Sequence, residues 1–160
     1  MATTSRAGVA QDALVALATA QLPGVDVVDG PPLTWDQIKL ATDQLGDGTR
    51  YLFIGAQPQS ATWLQGQQDF NAAGAVSRDE HFEIICTALG YSGDGVAKTA
   101  RDAALAVMAG LEQVIRADPS LGGVVLYSRV STVDRGDITL NTSGVNVPII
   151  FRVACRAYLS

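Results

Sequence analysis

The hydrophobic positions of this chain keep two different spacings, and the switches between them mark out its elements. From Val96 onward Ala100, Ala104, Val107, Leu111, Val114 and Ile115 recur every three or four residues, while Lys98, Arg101, Asp102, Glu112 and Arg116 fall off that line. This is the pattern of a helix with one buried face. Asp94 is placed to cap its start, Glu112 and Arg116 form an (i, i+4) pair, and Asp118-Pro119 followed by Gly122-Gly123 stops it. Apolar runs flank the helix, His81 to Leu89 before it and Gly123 to Val130 after it, so Arg78 to Val130 reads as strand, helix, strand. Burying each larger side chain of the stripe gains roughly 1.5–3 kcal/mol. The flanking strands are the surface it needs.

Elsewhere the same reading gives a helix from Arg6 to Gln21, with Val9, Ala13, Leu17 and Ala20 on one face and Leu14 beside it, closed by Pro23-Gly24. Val25 to Asp29 is a short strand. Thr34 to Gln37 has the form of a capping box, and Trp35, Ile38 and Leu45 fit one face of a short helix ending at Gly46. Arg50 to Gly55 suits a central strand. Thr62 to Phe70 is expected to pair back on Val76 to Ile84 through Asn71 to Ala75, with arms of about 8 residues, or about 27 Å at strand rise. Such a hairpin projects past its sheet, and because its exposed aromatics have too few partners in one chain, Thr62 to Ala75 is expected to be disordered or mobile in the isolated subunit and ordered in the assembly. Val124 to Val130 leads into a turn at Ser131 to Asp137 and a short return through Ile138, Leu140 and Asn141. In the last strand, Val145 to Leu159, Ile149, Phe151, Val153, Cys155, Ala157 and Leu159 point inward, and Ile150, Arg152, Ala154, Arg156 and Tyr158 outward. Pro148 belongs near its start or on an edge. The fold class is therefore α+β: a mainly antiparallel sheet with two principal helices packed on it, plus the long hairpin. No repeat or second domain is indicated.

At 160 residues, 48% hydrophobic and 17% charged, the chain has the composition of one globular domain. Its net charge of −5 argues against a nonspecific nucleic-acid or anionic-membrane binder. Ala7 to Leu22, interrupted by Gln11-Asp12, makes a poor signal peptide and is too polar to span a bilayer, so the chain reads as soluble. Cys86 and Cys155 lie on inward strand phases without a CxxC pairing, and inert, reduced thiols are expected.

The search for chemistry returns mostly structural answers. His81 and Glu83 share a strand face, with Asp79 and Glu80 nearby, but a single His without a further His or Cys at ligand spacing reads as a surface pair. Gly93-Asp94-Gly95 before a helix lacks the spacing of a phosphate-binding loop. Arg135-Gly136-Asp137 is ordinary turn material. No catalytic residue, metal or cofactor is expected.

Several phrases carry a resemblance. The helix Ala7 to Gln21 is followed by Leu22-Pro23-Gly24-Val25-Asp26-Val27-Val28-Asp29-Gly30-Pro31. Further on come Ser77-Arg78-Asp79-Glu80-His81-Phe82-Glu83-Ile84 and a helix closed by Ile115-Arg116-Ala117-Asp118-Pro119-Ser120-Leu121-Gly122-Gly123. The ending is Phe151-Arg152-Val153-Ala154-Cys155-Arg156-Ala157-Tyr158-Leu159. Together they resemble the tail terminator proteins of long-tailed bacteriophages, over most of the chain but not in Trp35 to Leu45. The resemblance implies a structural virion protein rather than an enzyme. It would form a six-membered ring that caps the tail tube, stops its polymerisation and offers the surface that joins the head. Implied partners are other copies of this chain, the major tail tube protein and a head completion or connector protein. DNA would pass through the channel without specific binding, and no membrane is involved. The place implied is the neck region of the virion, and the host cytoplasm during assembly. Candidate contact residues are Trp63, Gln65, Gln67, Phe70, Arg78, Arg129, Asp134, Arg135 and Asp137. Two other readings stand beside this one: a different neck or tail-completion protein, and a small metal-assisted hydrolase using His81 and Glu83.

Overall fold

The computed structural model describes residues 5–30, 50–57, 62–70, 78–141 and 144–159. Its elements are α1 (Ala7–Gln21), β1 (Asp26–Asp29), β2 (Arg50–Ile54), β3 (Leu64–Phe70), β4 (Arg78–Ser92), α2 (Ala97–Ala117), β5 (Tyr127–Gly136), β6 (Thr139–Asn141) and β7 (Gly144–Leu159). The expected helix over Thr34 to Gly46 and the turn Asn71 to Ala75 lie outside the described residues.

β4 and β7 form the centre of a seven-stranded sheet, paired antiparallel in unbroken register from Arg78 with Leu159 to Ser92 with Val145. β2 and then β3 pair antiparallel with the other edge of β4, and β5 and then β6 with the other edge of β7. β1 adds the only parallel pairing among the described strands, alongside β2. The chain leaves β4 and returns to it at one residue. The Ile85 carbonyl accepts from the N–H groups of Gly55 (2.8 Å) and Ala56 (3.0 Å), and the Ile85 N–H donates to the Trp63 carbonyl at 3.0 Å. Gly55 turns the chain away with φ +78, a conformation that suits a residue without Cβ.

Both helices lie on one face. The inward stripe of α2 is buried as its spacing predicts, with Ala103 added, and it packs with Phe82, Ile84, Cys86 and Ala88 of β4 and the inward series of β7. The approach is closest at Gly90, where a Cβ would lie 2.0 Å from the Ala100 carbonyl oxygen and 2.7 Å from the Ala104 nitrogen. The helix backbone therefore rests directly on the strand. On the opposite face Ile85, Thr87, Leu89 and Tyr91 are also buried, with Tyr51, Phe53 and Ile150, so β4 is two-sided from Ile84 onward, as its nearly continuous apolar run predicts.

Several expectations are corrected. α1 buries Ala7, Ala10, Leu14 and Ala18, while Val9 is 43% exposed and Ala20 faces outward. In so Ala-rich a helix more than one stripe satisfies the periodicity, and the sheet selects the one containing Leu14. Asp94 does not cap α2: its carboxylate accepts from the Val96 N–H (2.8 Å) and the Ser92 hydroxyl, and the residue at the cap position is Val96. The strand expected from Val124 starts at Tyr127, because the Asp118 carboxylate gathers the Ser120 hydroxyl (2.6 Å) and the N–H groups of Ser120 (3.1 Å) and Gly122 (2.7 Å) into a compact loop. Leu121, Gly122 and Gly123 in that loop all have positive φ. The expected turn over Ser131 to Asp137 is instead strand carrying two bulges, between Val130 and Thr132 and between Val133 and Arg135. β6 is no return strand: it continues along β7 beyond β5. Pro148 sits in a central strand, at the place where β5 has ended and β6 has not begun. Its carbonyl accepts from the Asp137 N–H at 3.1 Å, so its missing N–H faces that gap.

The β3–β4 hairpin extends the sheet beyond the end of β1 and β2, and β7 accompanies it to Leu159. β3 is laddered from Leu64–Ile84 to Phe70–Arg78. Glu80, 4% exposed, ties this end to α1. Its carboxylate accepts from the Ser5 hydroxyl (2.5 Å), the Arg6 N–H (2.7 Å) and the Gln68 amide (3.4 Å). A strand side chain thus satisfies the start of a helix that has no side-chain cap of its own.

The seat at Gly90 leads to a prediction with an internal control. Gly90→Ala should cost about 3 kcal/mol or more, since backbone rather than side chain must move. Gly8→Ala, where a Cβ meets nothing within 4 Å on the exposed side of α1, should gain about 0.5–1 kcal/mol. Urea unfolding of the two variants checks both signs.

Candidate assembly interface

The face away from the helices changes character along the strands. At the Tyr51, Phe53 and Leu89 end it is buried; at the hairpin end it is polar and exposed. The register sets out that end in rows across the sheet. Gln65, Glu83, Ala154 and Arg129 form one row, and Gln67, His81, Arg156 and Tyr127 the next. Asp69, Asp79 and Tyr158 follow. Two arginines on β7 organise the charges. Arg152 donates to Asp134 (2.7 Å), Glu83 (3.0 Å) and the side-chain amide oxygen of Gln65 (2.7 Å), and Ser131 donates a further hydrogen bond to Glu83 at 3.0 Å. Arg156 donates to Asp79 at 2.6 Å. Asp134 and then Glu83 hold the Arg152 guanidinium above its ordinary value, and Asp79 does the same for Arg156.

The candidate contact residues do not form one cluster. Gln65, Gln67, Arg129 and Asp134 lie on this open face. Trp63 stands at the entry to β3, 42% exposed, beside a shallow hollow lined by Gly8, Gln11, Gly30 and Gly55. Arg78 lies on the helix side, where its guanidinium donates to Gln68 at 3.1 Å. Arg135 and Asp137 pair with each other at 2.7 Å near the end of β5. Phe70 is placed only by its backbone, opposite Arg78.

Other residues of this surface escaped the sequence reading. Arg152 and Arg156 were legible as outward positions of the last strand, but their partners lie 69 and 77 residues away. Tyr127 and Tyr158, each 51% exposed, carry no signal in sequence that separates them from core aromatics. They flank Arg156 on the open face.

His81 and Glu83 do share a face, as expected, and a cavity of about 420 Å³ opens beside them, lined also by Gln65, Gln67 and Ala154. Glu83 is engaged by Arg152 and Ser131, and among the described residues no group of three or more His, Cys, Asp or Glu side chains is arranged to hold a metal. Cys86 and Cys155 are free, buried thiols on the helix face, opposite Phe151 and Phe82 rather than each other. Burial pushes both up to about 12, which leaves them without thiolate character. Among the described residues no helix is long and apolar enough to cross a membrane. The sequence matches no protein-family model and no curated protein.

Neither thiol should react with iodoacetamide at pH 8 in the folded protein, and both should react in denaturant; mass spectrometry counts the labels. Replacing both by Ala should leave a folded chain at a cost of about 1 kcal/mol each. Arg152→Ala, which leaves Glu83 and Asp134 without their shared cation, should cost about 1 kcal/mol, because all three side chains keep some contact with solvent. Adding 1 M salt should narrow the gap between parent and variant in chemical denaturation.

Proposed function

We propose that this chain is a structural virion protein of the tail-terminator type, forming a six-membered ring at the head-proximal end of a phage tail tube. The observation that carries the reading is a pair of unlike outer edges, β3 and the start of β5, at opposite sides of the hairpin end of the sheet, which β1 and β6 do not reach. Among the described residues neither has a strand beside it, and an exposed polar face lies between them. Unpaired edges invite another chain, and two different edges on one molecule suit a head-to-tail ring. The sequence phrases that resemble the family support the same reading, and the net charge of −5 suits a channel through which DNA slides without adhering. The tube protein and a head completion protein would meet the two rims of such a ring. Nothing around His81 favours the hydrolase alternative, since Glu83 is already occupied.

A terminator must lack the rim-to-rim fit that would let rings stack into a tube. Lateral contacts weak enough to close only on a tube end agree with that need, the contacts adding once the subunits are aligned. The expected outcome is a mainly monomeric protein at micromolar concentration by sedimentation, and tails of uncontrolled length in a virus from which the gene is deleted. Normal tail length in that deletion would overturn the assignment.

A further inference from the structure

The ladder fixes the directions of the two edges at the hairpin end of the sheet. β3 runs antiparallel to β4, β4 to β7 and β7 to β5, so β3 and β5 point in opposite directions. A second copy set beside the first by rotation about an axis along the strands brings its β3 antiparallel to the first copy's β5, with neither molecule turned over. The polar faces of the two sheets then lie on the same side.

Local features of the two edges fit each other. Gln65 to Asp69 are exposed on both faces of β3, so neither helix covers this strand and both of its faces are open to a neighbour. β5 is regular only over Tyr127 to Val130, ahead of its first bulge. Beside that stretch, on the helix side, a cleft of about 320 Å³ is bordered by Ile115, Pro119 and Val130, and the half-buried Leu64 at the start of β3 is on the matching side to enter it. Charge is complementary as well. The open face of β3 carries Asp69, which accepts from the neutral Gln67 amide, whereas β5 presents Arg129; neither makes an ion pair with another described residue, while Asp79 and Glu83 on the strand behind β3 are already matched by Arg156 and Arg152. Two β5 edges facing each other would bring Arg129 towards its own copy.

We propose that the β3 edge of one subunit adds as a strand to the Tyr127–Val130 edge of β5 in a second copy, Leu64 filling the cleft beside Ile115 and Arg129 reaching towards Asp69 along the rim of β3. The contact is strand addition between unlike edges of identical chains, and it rests on the ring reading above. Repetition carries the sheet from subunit to subunit, and each added copy leaves the same two edges at the ends until closure.

The test joins Gln67→Cys with Tyr127→Cys, both at exposed positions in one row of the open face and both sparing Arg129 and Leu64, and treats the concentrated protein with a short bismaleimide. The native thiols do not compete, being buried. The double variant should give a ladder of cross-linked species ending at the closed ring, while each single variant remains monomeric with a melting curve like the parent's. Dimers from Tyr127→Cys alone would show that like edges meet and would overturn the proposal. So would an absence of cross-links from the double variant both in concentrated solution and on isolated tails. The reaction in isolated protein reads the contact whatever the ring caps, and the gene deletion reads the function whatever edges meet, so the two failures are distinguishable.

Discussion

The structure depends on the uninterrupted pairing of β4 with β7 and on the seating of one helix backbone against it. Every other strand but β1 attaches to an outer edge of this pair, and both helices pack on one of its faces. The seat is made of Gly90, Ala100 and Ala104, residues with little or no side chain. They bring α2 close enough for Val145, Val147 and Ile149 to pack against it. A larger residue at any of these three positions would lift the helix away from the strands beneath and open voids along the whole stripe, which a close-packed interior does not tolerate.

Such a scaffold divides its sheet into two regions with different tasks. Around Tyr51, Phe53 and Leu89 both faces are covered and the strands serve as core. Beyond Ile84 towards Arg78 the helix face remains closed, but the other face carries hydrogen-bonded charge. Its acids and bases are matched locally, Arg152 with Glu83 and Asp134, Arg156 with Asp79. A matched array of this kind holds side chains in fixed positions without a strong net field, so it favours shape and hydrogen bonding over long-range steering. Glu80 links the region to the N-terminal helix: its buried carboxylate has its charge met by the helix start, so the hairpin and α1 cannot rearrange independently.

Elements with one dominant period were legible in the sequence. The α2 stripe and the inward series of the last strand follow from spacing, because burial on one face leaves a periodic trace. Where that trace is degenerate it misleads, as in α1, whose many alanines let several stripes compete. It is also silent on local hydrogen-bond devices. The Asp118 loop delays β5, bulges absorb Ser131 and Asp134, and Pro148 is tolerated only because its neighbouring strand is broken there. The surface was legible residue by residue but not as a constellation. Gln65, Glu83, Asp134 and Arg152 come together through a register that no single stretch contains, while Arg78, Arg135 and Asp137 look equally suitable in sequence and lie elsewhere.

The double use of Ile85 also bears on how the molecule tolerates change. Because the chain departs from β4 at Gly55 and rejoins it at Trp63 through bonds to that one residue, the two ends of the excursion are pinned whatever lies between them. Lengthening a loop whose ends are already fixed costs only about 0.6 kcal/mol per doubling. A fluorescent tag or an affinity peptide inserted between Gln57 and Thr62 should therefore leave those three bonds, and the register of the sheet beyond them, in place.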